Sequence, residues 1–132
     1  VIDRIRNIVN ASIYDEFIDY RKIHTIYNSN DVLILPYRQV TQCGPLLIGY
    51  SEGVPSICSD LAGFREYVTD GADSMIFDNT AAGLAAKMEE IIKNPAIIDK
   101  LSKGIEEIAM KKFSMEALAG DYIENFKKCR EG

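Results

Sequence analysis

The chain of 132 residues has no tryptophan, one histidine and three widely spaced cysteines. Each shortage removes a class of function. With His24 as the lone histidine and no C-x-x-C pair, the usual zinc spacings are absent and no metal site is expected. One histidine, and no serine held in a strained G-x-S-x-G turn, argues against a Ser/His/Asp hydrolase. Cys43, Cys58 and Cys129 read as free thiols in a reducing compartment. No apolar run approaches the roughly 18 residues of a membrane span. The sequence starts at Val1 without methionine or a charged-then-apolar leader, so the expectation is a fragment of a longer cytoplasmic protein. A net charge of −5 argues against a nucleic-acid partner, which calls for a basic face.

What is present is an ordinary globular mixture, 47% hydrophobic and 27% charged, enough for one domain with a core. No repeat, linker or low-complexity stretch divides residues 1–132, so a single domain is expected. The chain is organised around Asp31–Ser59. Val32, Leu33, Ile34 and Leu35 form an apolar run stopped by Pro36, the pattern of a parallel strand buried on both faces. A polar loop from Tyr37 to Cys43 leads to Gly44-Pro45, where proline suits the first turn of a helix. Gly53 closes that helix, and Val54-Pro55-Ser56-Ile57-Cys58 begins the next strand. The unit predicts a helix N-terminus at the carboxyl edge of a sheet, a place suited to an anion.

Around it, Ile2, Ile5 and Val9 predict a first helix, and Ile13 to Ile18 a short strand interrupted by Asp15-Glu16. Ile23, Ile26 and Tyr27 share a helix face ended by Asn28-Ser29-Asn30. A short helix is expected over Phe64–Val68, a turn at Asp70-Gly71 and a strand over Ser74–Phe77. Leu84 to Ile92 and Ile98 to Ile108 predict two helices separated by Asn94-Pro95. Ser114 is the expected N-cap of a last helix, whose stripe Met115, Leu118, Tyr122, Phe126 and Cys129 reads as core or interface. The predicted fold class is α/β, a doubly wound Rossmann-like parallel sheet of about four strands with a C-terminal helical tail.

This punctuation resembles the C-terminal, donor-binding domain of a family 4 (group 1) glycosyltransferase. The resemblance rests on Asp31-Val-Leu-Ile-Leu-Pro36, Gly53-Val54-Pro55, Gly63-Phe64-Arg65-Glu66, Asp70-Gly71 and the late Phe113-Ser114. It implies half of a two-domain GT-B enzyme that transfers a sugar from a nucleotide-sugar with retention, as in building a surface polysaccharide. The resemblance also implies a glycan or lipid-linked acceptor held by a missing N-terminal domain, and a parent lying peripheral to the membrane. The nucleotide-sugar is then the donor substrate and no cofactor is implied. Only the back half of the donor domain is matched, from about Asn10 onward, so the chain alone is expected to be inactive. In the family's strand order the missing units lie beside Val32–Leu35, and that exposed edge is expected to recruit the Ile13–Ile18 strand or a second chain as a homodimer.

In this family two glutamates, eight positions apart, contact the donor sugar and the ribose. Their positions fall here on Val40 and Ile48, which accept no side-chain hydrogen bond. Thr41-Gln42-Cys43-Gly44 instead resembles a Thr-Gln-Ser-Gly form of the loop, whose amides hold the donor diphosphate. The candidate donor-binding residues are Thr41, Gln42, Cys43, Gly44 and Glu66, with Arg38 as a phosphate contact; no catalytic residue is assigned. Each has a plainer explanation: an ordinary strand-to-helix turn, first-turn helix capping by Glu66, a solvated arginine. His24 and Asp60 read as surface and turn residues, and Cys43 as a small filler despite its place near a helix N-terminus. Two rivals remain: a degenerate, non-catalytic donor-type domain acting as a binding or assembly module, and another doubly wound class such as a receiver. The receiver is disfavoured because Asp31 precedes its strand.

Overall fold

The computed structural model describes residues 10–108 and 115–131. Three parallel strands, β1 (Leu33–Leu35), β2 (Ser56–Ser59) and β3 (Ser74–Phe77), form one sheet in the order β1-β2-β3. Among the described residues six helices accompany them: α1 (Tyr20–Asn28), α2 (Gly44–Ser51), α3 (Ala62–Arg65), α4 (Ala81–Lys93), α5 (Ala96–Ile108) and α6 (Met115–Glu131). Ile34 pairs with Ile57 and Ile57 with Met75, so all three strands present their carboxyl ends at one edge.

The two faces of the sheet follow from the two-residue period of extended chain. Leu35, Cys58 and Ile76 point into a core shared with Leu46, Tyr50, Phe64, Val68 and Ile105. Ile57, Met75 and Phe77 point the other way, against Ile91 and Leu101. Both faces are therefore covered by helices, and β2 and β3 are buried throughout. The α/β doubly wound architecture is as the sequence predicts.

Several elements differ from expectation. The strand count is three rather than four, because residues 11–19, including Ile13–Ile18, form neither helix nor strand. Phe17 is 95% exposed there, and burying Asp15 and Glu16 in a sheet would cost the desolvation of their charges. As a result β1 is an edge strand and not a central one among the described residues; of these only β2 pairs with it, and Ile34 stays 37% exposed. An apolar run specifies a strand but not the number of its neighbours. The short helix starts at Ala62, before the expected Phe64. The predicted helix over residues 1–9 and the Ser114 cap lie outside the described residues. On α6, Leu118, Tyr122 and Phe126 are exposed, so that stripe is not core in this chain.

One left-handed turn and one close approach fix how the elements dock. Gly53 takes φ +70, a left-handed conformation that ends α2, and its N–H bonds the Tyr50 carbonyl at 3.2 Å. On α5, a Cβ at Gly104 would stand 1.9 Å from the Ala72 carbonyl oxygen, so only glycine lets this helix pass. The next residue, Asp73, is fully buried and accepts from the Thr69 N–H at 3.0 Å and the Tyr50 hydroxyl at 2.8 Å. It ties α2 to the turn before β3.

Candidate site at the carboxyl edge of the sheet

Where β1 ends, Pro36 stops the ladder and the loop turns over the sheet edge to Cys43, the N-cap of α2. Cys43 is extended (φ −127, ψ 95) and makes no side-chain cap bond. The first-turn amides of α2 have no intrahelical acceptor, and Pro45 has no N–H to offer. A Cβ on Gly44 would meet no heavy atom within 4 Å, so open space lies beside this helix end. Two tyrosines brace the junction. The Tyr27 hydroxyl donates to the Pro45 carbonyl at 3.2 Å. Burial, with Cys43 next to it, pushes the Tyr37 phenol up. Cys43 itself is 4% exposed and packs in the core, whereas Thr41 and Gln42 are exposed.

The neighbouring loops are joined to one another. The Asn79 side chain, on a residue with φ +65, donates to the Asp60 carbonyl at 2.9 Å. The Asp60 carboxylate receives Arg65 in a two-point fork, Nε at 2.5 Å and Nη2 at 2.9 Å, which holds that carboxyl below the usual range. Within α3, a Cβ on Gly63 would stand 2.6 Å from the Val40 carbonyl oxygen. A cleft of about 380 Å³ opens over these strand ends, lined by Tyr37, Arg38, Ser59, Asn79 and Thr80 among others.

The structure thus brings Thr41, Gln42 and Gly44 together at the α2 N-terminus and puts Arg38 on the adjoining cleft. Cys43 turns inward. Glu66 is exposed at the C-cap of α3, so first-turn capping does not explain it; no hydrogen bond or ion pair among the described residues ties it to the loop. Val40 packs against the core, half-buried. His24 pairs with Glu52 at 2.5 Å, on the flank of α1 and away from the edge. The letters Gly49-Tyr50-Ser51-Glu52-Gly53 spell G-x-S-x-G, but they close a helix, and the Ser51 hydroxyl donates to the Ile48 carbonyl at 2.8 Å. That is not a nucleophile elbow.

Sequence reasoning placed Tyr37 at the start of the loop and Gly63 in the family motif, but missed Asn79 and the approach of Gly63 to Val40 as parts of this edge. Asn79 carried a weak signal, as asparagine tolerates positive φ. Among the described residues, no group of three His, Cys, Asp or Glu side chains could hold a metal. A larger cavity, about 480 Å³, lies elsewhere: Val32, Ile34, Met88, Ile92 and Ile98 line it beside β1. No described helix is long and apolar enough to cross a membrane.

An open parallel sheet, with a loop and a helix N-terminus meeting at its carboxyl edge, defines a doubly wound α/β domain, a class of fold in which ligands bind at that edge. A family model for group 1 glycosyl transferases matches residues 4–94, and the chain belongs to that family. Two solved structures show the same fold. Sucrose-phosphate synthase from Thermosynechococcus elongatus superposes with a TM-score of 0.72 at 21% identity, over 86% of this chain and 29% of that one. The C-terminal domain of the group 1 glycosyl transferase LpcC from Francisella tularensis gives 0.66 at 16% identity, over 76% of this chain and 52% of that one. Among curated proteins none matches significantly. The chain therefore spans less than two thirds of either solved structure, and its fold is that of a GT-B C-terminal domain.

Proposed function

We propose that this chain is part of a retaining glycosyltransferase, contributing the rear of the pocket for a nucleotide-sugar donor. The observation that carries the reading is the α2 N-terminus at the carboxyl edge of β1, with open space beside Gly44. The Thr41–Gly44 loop holds the donor diphosphate and sugar through its amides, Arg38 adds a cation, and Glu66 faces the donor from α3. Catalysis of this kind is chiefly placement and charge stabilisation of the leaving diphosphate. The nucleotide-sugar is itself the donor substrate, and no cofactor enters. The acceptor, a glycan or lipid-linked saccharide of surface polysaccharide synthesis, binds a segment outside these 132 residues in a cytoplasmic parent peripheral to the membrane. The isolated chain does not turn over.

A second reading is favoured by one observation: the two positions that carry glutamates in the family are Val40 and Ile48 here. A charged hydrogen bond contributes roughly 1.5–3 kcal/mol, so losing both suits a degenerate domain that serves as an assembly module. Titration of the amide spectrum with millimolar nucleoside diphosphates and nucleotide-sugars separates the two. Donor binding should move Thr41–Leu46, with a millimolar dissociation constant worth about −4 kcal/mol. Gly44→Ala is the sharp control, since its Cβ meets nothing in the free chain. It should leave the melting temperature unchanged and weaken nucleotide binding at least about tenfold, a 1.4 kcal/mol effect. No shift in wild type, in the chain or in its full-length parent, would favour the assembly module.

We further propose that the open β1 edge pairs with a second copy when the chain is isolated. Ile34 is exposed on this edge, and an unpaired apolar edge strand invites a partner. Sedimentation at rising concentration should show a dimer, and Ile34→Lys should return it to monomer. A wild type that stays monomeric to millimolar concentration contradicts the pairing.

A further inference from the structure

The Thr41–Gly44 loop is positioned from outside its own strand–helix unit. Val40, the residue just before it, has its carbonyl oxygen only 2.6 Å from where a Cβ on Gly63 would stand, and its carbonyl carbon and Cγ1 at 3.2 Å. Two of these three neighbours are backbone, so no side-chain rotation would make room. Any residue with a Cβ at position 63 must push the loop away from the α3 backbone, or push α3 away from the loop. The second move is resisted. Arg65, two residues along α3, is forked onto Asp60, and the Asp60 carbonyl is held by Asn79 from the β3–α4 turn. Phe64, between Gly63 and Arg65, is fully buried in the core. The α3 side of the contact is thereby anchored at Asp60, Phe64 and Arg65, and the strain falls on the loop side, where Thr41 and Gln42 are exposed.

We propose that Gly63 is the seat of the donor loop, a positioning residue that sets where the Thr41–Gly44 amides stand, with the Asp60–Arg65 fork as the brace behind it. The proposal rests on the donor-site reading for its functional consequence, but its structural half stands without it. Glycine is required at 63 for the close approach alone, because its φ is not in the left-handed region.

The test compares wild type, Gly63→Ala, Arg65→Met and Gly104→Ala as 15N-labelled chains, with and without uridine, adenosine or guanosine diphosphate. Gly104→Ala is the control for general destabilisation, since its Cβ meets the Ala72 carbonyl instead of the loop. Gly63→Ala should displace the amide resonances of Val40–Gly44 in the ligand-free chain and raise the nucleotide dissociation constant at least about tenfold. Arg65→Met, a change at an exposed side chain, should move the same amides less and weaken binding about threefold, and it supplies the answer if Gly63→Ala does not fold. Gly104→Ala should lower the melting temperature and leave those amides in place. Loop amides in Gly63→Ala and Arg65→Met that coincide with wild type, or that move no more than in Gly104→Ala, would overturn the proposal. If wild type binds none of the diphosphates, the donor reading falls, and the ligand-free loop shifts still decide whether Gly63 seats the loop.

Discussion

Phe64→Ala is expected to cost about 3–5 kcal/mol, the range for removing a fully buried aromatic ring. Phe64 is 0% exposed and sits among Leu35, Cys43, Leu46, Tyr50 and Ile76, with the Tyr37 ring centroid 5.8 Å away. Its tilted pairing with Tyr37 adds about 0.5–1.5 kcal/mol beyond burial. Domains of this size are stable by only about 5–15 kcal/mol, so the loss is a large share of the whole. The urea midpoint should fall by about 2 M, given a slope near 2 kcal/mol per molar. Phe64→Leu, which keeps most of the volume, should recover at least half of the loss. A midpoint for Phe64→Ala within 0.3 M (roughly 0.6 kcal/mol on the same slope) of wild type would mean that the α3 core contact is not formed in solution.

Asp73→Ala should be nearly as damaging, by a different physical route. Asp73 is fully buried, and its carboxylate accepts from the Thr69 N–H and from the Tyr50 hydroxyl. Truncation removes the acceptor that both donors use in the folded chain, and with the loss of the buried carboxylate's own packing a total near 3 kcal/mol is expected, at about 1–3 kcal/mol for a lost buried acceptor. Tyr50→Phe removes only one donor and leaves the carboxylate bonded to Thr69, and about 1 kcal/mol is expected for it. Because the two side chains are partners, the double variant should cost less than the sum by at least about 0.5 kcal/mol. Strict additivity in chemical denaturation would show that the Tyr50–Asp73 hydrogen bond contributes nothing. The bond also bears on alkaline stability. Burial and Asp73 raise the Tyr50 phenol, so its contribution is complete below the unfolded-state value near 10 and is lost as pH climbs beyond it.

Much of the chain was legible from local chemistry. The Val32–Leu35 run, the Gly44-Pro45 helix start, the Gly53 stop and the Asn94-Pro95 break each specify a nearby conformation, and each is found within a residue or two. These signals act over a few residues through φ preferences, missing donors and apolar periodicity, which a sequence displays directly. The candidate loop was legible for the same reason, since it lies between a strand and a helix that both announce themselves.

What the sequence by itself determined is therefore the order of elements from Tyr20 onward, the family, and the place on the chain where the candidate loop meets a helix N-terminus. Only the tertiary structure decided that Ile13–Ile18 joins no sheet, that β1 is an edge, that Cys43 faces inward, and that Gly63 lies under Val40. The physical reason is common to all four. Each depends on contacts between segments far apart in the chain, and whether a strand finds a neighbour or a glycine finds a carbonyl is set by packing. Local propensity carries no information about that choice.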